Sequence, residues 1–273
     1  MNQFISHRYG HLLKNHAFNN FQDFWCLPEN WVEEPNSRRG GWSGASFHTL
    51  CDDNGESFSI FVKRQENHNY FSLGNPYQAR PTFFRELTNI CLLEQIGVPS
   101  VEPVYYGERF LNGRLQAILA TVALDNYRGL NSLFAMPSMK ESIRKEILHR
   151  IADALRLMHS RHLRHGSLSG EHVMVKLHGD DSFDIRILDL EKMRHSWHRL
   201  YVSIRDIERF IRHTPTLNKT EHTEFISHYV RNFSPIQQKL FVKLTNLCIF
   251  KRSYSKGHAP PLIHLGGLDE ATK

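Results

Sequence analysis

The pattern of apolar and polar positions changes character near the middle of the chain. Phe58-Ser59-Ile60-Phe61-Val62 is a short run of β-branched and aromatic residues and reads as a strand ending at Lys63. Pro81 opens a helical stretch in which Phe83, Leu87, Ile90, Cys91 and Leu93 recur near a 3.6 period, and Gly97 and Pro99 close it. Val101–Tyr106 and Gln116–Val122 read as two further strands, and Ala123–Asn131 as a connector. Beyond it the period becomes helical. Ser138-x-x-Glu141 predicts a capping box, and Ile143, Ile147, Ile151, Ala154, Leu155 and Met158 line one face of the helix after it. His172–Leu177 and Asp184–Leu188 flank Gly179-Asp180-Asp181 as the arms of a hairpin would. Ile204, Ile207, Phe210 and Ile211 predict another amphipathic helix, and helical spacing persists to about residue 253.

Residues 1–30 show no clear period and read as an N-terminal arm with Trp25 and Trp31 as packing anchors. Arg38-Arg39-Gly40-Gly41-Trp42-Ser43-Gly44-Ala45-Ser46 reads as a glycine-rich turn. A strand-rich half followed by a helical half predicts an α+β fold of two lobes around a cleft. The expected boundaries are 1–124 for the arm and N-lobe, 125–255 for the helical C-lobe, and 256–273 for a loosely ordered tail with Pro260-Pro261.

Composition narrows the partners. Hydrophobic residues make up 40% of 273, enough for a sizeable core. The four cysteines are scattered and form no C-x-x-C pair, which suits a reducing compartment. The N-terminus lacks a long apolar stretch and no run is long enough to span a bilayer, so a cytoplasmic location is expected. A net charge of +6 favours anionic partners: a nucleotide, a phosphorylated sugar or an acidic lipid surface. Arg161, Arg164, Lys251 and Arg252 are candidate contacts for a salt-sensitive hold on inner-membrane lipids. Nucleic acid ranks last, because no groove-reading motif or stacking platform is present. His159-x-x-His162-x-x-His165 invites a metal reading, but helical spacing spreads the three over more than one face; a solvated helix end is expected for His159 and His162.

His165-Gly166-Ser167-Leu168, then His172, then Ile185-Arg186-Ile187-Leu188-Asp189 resemble the catalytic loop and metal-binding segment of protein kinases, in the same order. His165 and Leu168 fill the His and Leu slots, and Asp189 the metal-binding slot. The base slot holds Ser167 and the Asn slot holds His172. Lys63 at a strand end and Glu86 on the following helix match the kinase lysine–glutamate pair in order and rough distance. Asp189 follows an apolar strand, where an unpaired charge is costly and a hard cation or a basic partner would resolve the cost.

The motifs resemble more closely the InaA-type branch of the Kdo/WaaP lipopolysaccharide kinase family. The resemblance is carried by Trp31-Val32-Glu33-Glu34-Pro35-Asn36-Ser37-Arg38-Arg39-Gly40-Gly41-Trp42-Ser43-Gly44, Phe61-Val62-Lys63-Arg64, Arg80-Pro81-Thr82-x-x-Arg85-Glu86, His172-x-x-Val175-Lys176 and Leu188-Asp189-Leu190-Glu191-Lys192, and spans about residues 25–240. It implies a bilobal protein-kinase-like fold with ATP and Mg between the lobes. Gly40, Gly41 and Gly44 would lie at the nucleotide, Lys63 on its phosphates and Glu86 behind Lys63. Asp189 and His172 would hold the metal, and Asp206 would brace the catalytic loop.

Ser167 is where the chain departs from active members, which resemble protein kinases in carrying Asp there. A general base contributes about 10²–10⁴ in rate, so ATP binding follows from the resemblance more directly than turnover does. Glu191 also replaces the Gly of D-F-G, a change the wider family shares. Two functions are expected to compete. One is phosphotransfer to a sugar hydroxyl of the lipopolysaccharide core or a related metabolite. The other is a pseudokinase, a nucleotide-responsive binding or stress-signalling module. Should turnover prove robust, Glu171 and Asp181 are the first alternative bases.

Overall fold

The computed structural model describes all residues except 1–2, 19, 39, 52–56, 73–74, 256–258, 264 and 266–273, and omits the side chains of 33, 38, 51, 72, 75 and 76. It divides into two units, one of residues 1–92 and 101–125, the other of 93–100 and 126–273. The expected α+β class is what the elements form.

The first unit is built on a six-stranded antiparallel sheet in the order β1-β7-β8-β4-β3-β2. Its strands are β1 (Gln3–Ile5), β2 (Trp31–Arg38), β3 (Gly41–Cys51), β4 (Ser57–Glu66), β7 (Pro103–Leu111) and β8 (Arg114–Val122). A separate hairpin pairs β5 (Asn69–Ser72) with β6 (Asn75–Pro81). Pro35 donates no backbone hydrogen bond, and it sits on edge strand β2 beside a register shift between Glu33 and Asn36, where that lack does least harm.

The arm expected at residues 1–30 is folded into this unit. It forms β1, α1 (Gly10–Asn15) and α2 (Phe21–Trp25), and its Leu13, Phe21 and Phe24 join Ile60, Val62 and Ile118 in one apolar cluster. Trp25 and Trp31 both pack on Trp42, at ring-centroid distances of 5.8 and 6.0 Å. Arg64 fixes the arm: its guanidinium donates to the carbonyls of Trp25 (2.9 Å) and Leu27 (2.8 Å) and lies over the Trp31 ring. Strand β4 therefore does not end at Lys63. It runs on to Glu66 because Arg64, Gln65 and Glu66 are buried with partners rather than solvated.

The second unit is mainly helical: α4 (Leu130–Phe134), α5 (Glu141–Ser160), α6 (Arg199–Arg212), α7 (Lys219–Val230) and α8 (Pro235–Tyr254). The expected face of α5 is its buried face. Its cap is not as expected. Lys140 is the N-cap and makes no side-chain cap bond, because a turn from Met136 to Met139 takes up Ser138 and delays the helix. Reciprocal capping boxes occur at Asn20/Asp23, Asn218/Glu221 and Ser234/Gln237. A three-stranded sheet orders β12 (Phe183–Ile187), β11 (Val173–Leu177) and β9 (Arg128–Gly129), and a short pair joins β10 (Leu163–Arg164) to β13 (Arg194–His195). Residues 93–100 count with this unit: the Ile187 amide donates to Pro99, and Ser100 bridges Ile187. Of the tail, residues 259–263 and 265 are described. They have no helix or strand, yet Ile263 and Leu265 are buried and the Asn246 side chain bonds both backbone groups of Ile263.

Candidate active site

In the first unit, one strand face builds the lysine–glutamate pair. Lys63 and Gln65 are two residues apart on β4 and so point the same way. Gln65 Oε1 accepts from the Thr82 hydroxyl (2.8 Å) and from the Phe83 amide (3.2 Å), satisfying an orphan donor at the start of α3 (Thr82–Gln95). That bond sets where α3 begins, and one turn on Glu86 meets Lys63 at 2.5 Å. The Glu86 side chain is nearly buried while that of Lys63 is about a third exposed (4% against 31%). The carboxylate is thus the buried partner of the pair and the ammonium the partly exposed one.

The glycines separate by role. The segment expected as one long turn is a hairpin whose arms are β2 and β3, with Gly40 at the tip and Gly41 and Gly44 within β3. A Cβ on Gly41 would run into the backbone of Glu66 and Asn67. One on Gly44 would stand 2.7 Å from the Trp31 ring and 3.2 Å from Pro35. Both glycines are therefore required by packing within the sheet, whatever lies beside the tip. Arg39 and the Arg38 side chain lie outside the described residues.

In the second unit the catalytic-loop segment is organised by one carboxylate. Asp206 on α6 accepts from the His165 amide (2.5 Å), the Gly166 amide (3.0 Å) and His159 Nε2 (3.3 Å). Burial alone would raise its pKa, but the bond and charge of His159, the His165 ring and the Gly166 amide outweigh that and hold the carboxyl below its ordinary range. Gly166 has φ +83°, a left-handed conformation in which a side chain would crowd the Lys192 carbonyl. His159 is fully buried between Asp206 and the Tyr229 hydroxyl (2.7 Å), not on the solvated helix end expected for it. An i, i+3 histidine series does not distinguish surface from core, so this bracing residue went unseen.

His165 is buried, which pushes its pKa down and favours the neutral ring. Nε2 faces the Leu188 carbonyl (2.8 Å) and so carries the proton, leaving Nδ1 to accept from the Ser167 amide (3.3 Å). Ser167 is also buried. Its carbonyl accepts from His172 Nδ1 (2.7 Å) and its hydroxyl points at the Asp189 carbonyl (3.4 Å).

Because His172 Nδ1 is committed as a donor, Nε2 is the atom left for a cation, and it lies 3.7 Å from Asp189 Oδ2. Both side chains are 31% exposed. Asp189 adopts φ 59°, ψ 55°, a left-handed conformation rare outside Gly, Asn and Asp, and it stands two residues beyond the end of β12. A carboxylate oxygen suits Mg²⁺, and an imidazole beside it suits a softer divalent ion as well. Of the alternative bases, Glu171 accepts from Asn131 Nδ2 (2.8 Å), and Asp181 is bound to Lys140 at the far end of the β11–β12 hairpin.

Known proteins resemble this chain in sequence and in fold. The sequence profile of the Lipopolysaccharide kinase (Kdo/WaaP) family matches residues 22–229. Protein InaA of Escherichia coli (strain K12) is 30% identical over 205 residues, covering 72% of this chain and 91% of that protein. The solved structure of WaaP in complex with acyl carrier protein aligns with a TM-score of 0.63 over 94% of this chain and 99% of that one; at 17% identity this speaks to the fold alone. The resemblance read from the motifs is borne out, and the chain belongs to the lipopolysaccharide kinase (Kdo/WaaP) family.

Proposed function

We propose that the protein binds ATP with a divalent cation and transfers phosphate slowly to a sugar hydroxyl of the lipopolysaccharide core or a related metabolite. In this reading Lys63, held by Glu86, neutralises the nucleotide phosphates, and Asp189 and His172 hold the cation. The observation that carries it is the His172–Asp189 pair, in which the Nδ1 bond to Ser167 turns Nε2 toward the carboxylate at 3.7 Å. Phosphoryl transfer asks chiefly for positioning and charge neutralisation, so these four residues supply most of what the chemistry needs. The missing element is the base. Ser167 favours the second reading, a nucleotide-responsive pseudokinase, because its hydroxyl is turned to a backbone carbonyl.

The test is nucleotide-induced thermal stabilisation, compared in wild type and in Lys63→Met combined with Glu86→Gln. The double change avoids leaving the buried Glu86 carboxylate without its cation, which on its own would cost about 3–5 kcal/mol. Wild type should gain about 2.7 kcal/mol at a hundredfold excess over Kd, and the double variant almost none. Equal stabilisation of the two would refute the assignment. Product analysis on purified lipopolysaccharide core then separates slow transfer from none.

A further inference from the structure

Helix α8 has two apolar faces, and the fold uses only one. Phe241, Thr245, Ile249 and Ser253, each one turn after the last, are buried against the rest of the second unit. Ile236, Leu240, Leu247, Phe250 and Tyr254 are 47–80% exposed. At about 100° per residue these five fall within an arc of roughly 80° on nearly the opposite side of the helix from the buried row. They form a stripe along the whole length of a helix of about 30 Å. A surface helix ordinarily turns charge to water on that side.

The charges on α8 are all of one sign. The helix contains no Asp or Glu, and Lys239, Lys243 and Lys251 flank or interrupt the exposed stripe. Its fourth charge, Arg252, is turned to buried Glu208 at 3.3 Å. An adjoining cavity of about 940 Å³ between α5, α6 and α8 is lined by Leu157, Leu200 and Leu240 together with Arg199 and with Arg156, which pairs with Asp153 at 3.1 Å. Trp197, just before α6, is 90% exposed.

From this we infer that the outer face of α8 docks the protein on an anionic lipid surface, with the helix lying in the plane of the headgroups. Apolar side chains with a Trp and a Tyr beside lysines that can snorkel to the phosphates are what a membrane interface accepts. No helix among the described residues is long and apolar enough to cross a membrane, so the helix rests on the surface and does not insert through it. A second copy of the chain is the poorer occupant. Pairing two α8 faces would set lysines against lysines with no carboxylate on the helix to answer them. The inference is independent of the nucleotide reading.

The test is co-sedimentation of the full chain, without nucleotide, with vesicles of equimolar phosphatidylglycerol and phosphatidylcholine, and with vesicles of phosphatidylcholine alone. The variants are Leu247→Glu/Phe250→Glu for the stripe and Lys239→Gln/Lys243→Gln/Lys251→Gln for the charge. All the changed side chains are exposed, so melting temperatures should stay at the wild-type value. Wild type should pellet with the anionic vesicles only, and less so in high salt. Each variant should lose roughly tenfold or more in partitioning. The inference is overturned if wild type stays in the supernatant, if either variant pellets like wild type, or if light scattering shows a dimer that Leu247→Glu/Phe250→Glu dissociates. Binding to an acidic protein, with no binding to vesicles, would overturn it equally.

Discussion

Replacing Asp206 tests how far the catalytic-loop segment depends on a single side chain. Asp206→Ala removes the acceptor for the His165 amide, the Gly166 amide and His159 Nε2. Each buried donor left without a partner costs about 1–3 kcal/mol, while relief of the carboxylate's own desolvation returns part of the total. The net loss expected is about 3–5 kcal/mol, the range for breaking a buried charge pair from one side. For a unit of this size that lowers the melting temperature by roughly 6–20 °C. Asp206→Asn keeps one carbonyl acceptor and should lose about 1–3 kcal/mol. Thermal melts followed by far-UV circular dichroism, which the helical second unit dominates, read the difference. If Asp206→Ala melts within a degree or two of wild type, or no lower than Asp206→Asn, the bracing argument fails.

The same carboxylate predicts a pH dependence. Its folded-state pKa lies below the ordinary 3.8, so folding favours the ionised form. The stabilisation is complete above the ordinary value and is lost as pH falls through the lower folded-state value. Wild type and Asp206→Asn should therefore differ by a constant amount at neutral pH and converge only below about pH 4. Convergence nearer neutrality would show that the carboxyl is not held low.

Two further predictions separate packing from chemistry. Gly44→Ala forces a methyl against the Trp31 ring at 2.7 Å and should cost about 1–3 kcal/mol in urea unfolding, with the Kd for nucleotide changed less than twofold. A larger loss of affinity at unchanged stability would put Gly44 at the nucleotide. With Asp189 and His172 as the donor pair, ATP should stabilise the protein more with Mn²⁺ than with Mg²⁺, and His172→Asn should reverse the order. Thermal shift in the two metals reads this, and an unchanged order in the variant would remove His172 from the cation site.

Much of the architecture was legible because it rests on period and punctuation. The α5 face, the β11–β12 hairpin and the start of α3 after Pro81 all follow from side-chain spacing. What was not legible involves polar residues that the fold buries. The strand read as ending at Lys63, yet Arg64, Gln65 and Glu66 beyond it pin the arm, cap α3 and pair with Arg114. His159 read as surface for the same reason. The converse error hides α8, whose apolar count fits a core helix while five of its large side chains face outward. Of the four basic residues first considered for lipid contact, Arg164 bonds the Tyr201 hydroxyl and Arg252 pairs with Glu208. The Lys63–Glu86 order came from a motif, but the bond that makes it a pair depends on Gln65, which no motif marks.

Ser167 decides between the two functional readings, and the structure defines what restoring a carboxylate there entails. The hydroxyl is buried and lies 3.4 Å from the Asp189 carbonyl. An Asp in the same rotamer would set its carboxylate against that carbonyl and must rotate away from it. Ser167→Asp should therefore cost about 1–3 kcal/mol of stability unless the new carboxylate reaches water or an acceptor hydroxyl. If the four remaining residues hold nucleotide and cation as proposed, the variant should transfer phosphate roughly tenfold faster or more, toward the low end of a general base's usual 10²–10⁴. Ser167→Ala should leave the slow wild-type rate unchanged, since a hydroxyl bonded to a carbonyl takes no proton from the acceptor. The assay is single-turnover transfer from labelled ATP to lipopolysaccharide core. No gain in Ser167→Asp, with nucleotide stabilisation intact, would leave the pseudokinase reading standing. A large loss in Ser167→Ala would show that the hydroxyl itself takes part, and would refute the view of Ser167 as a vacated base position.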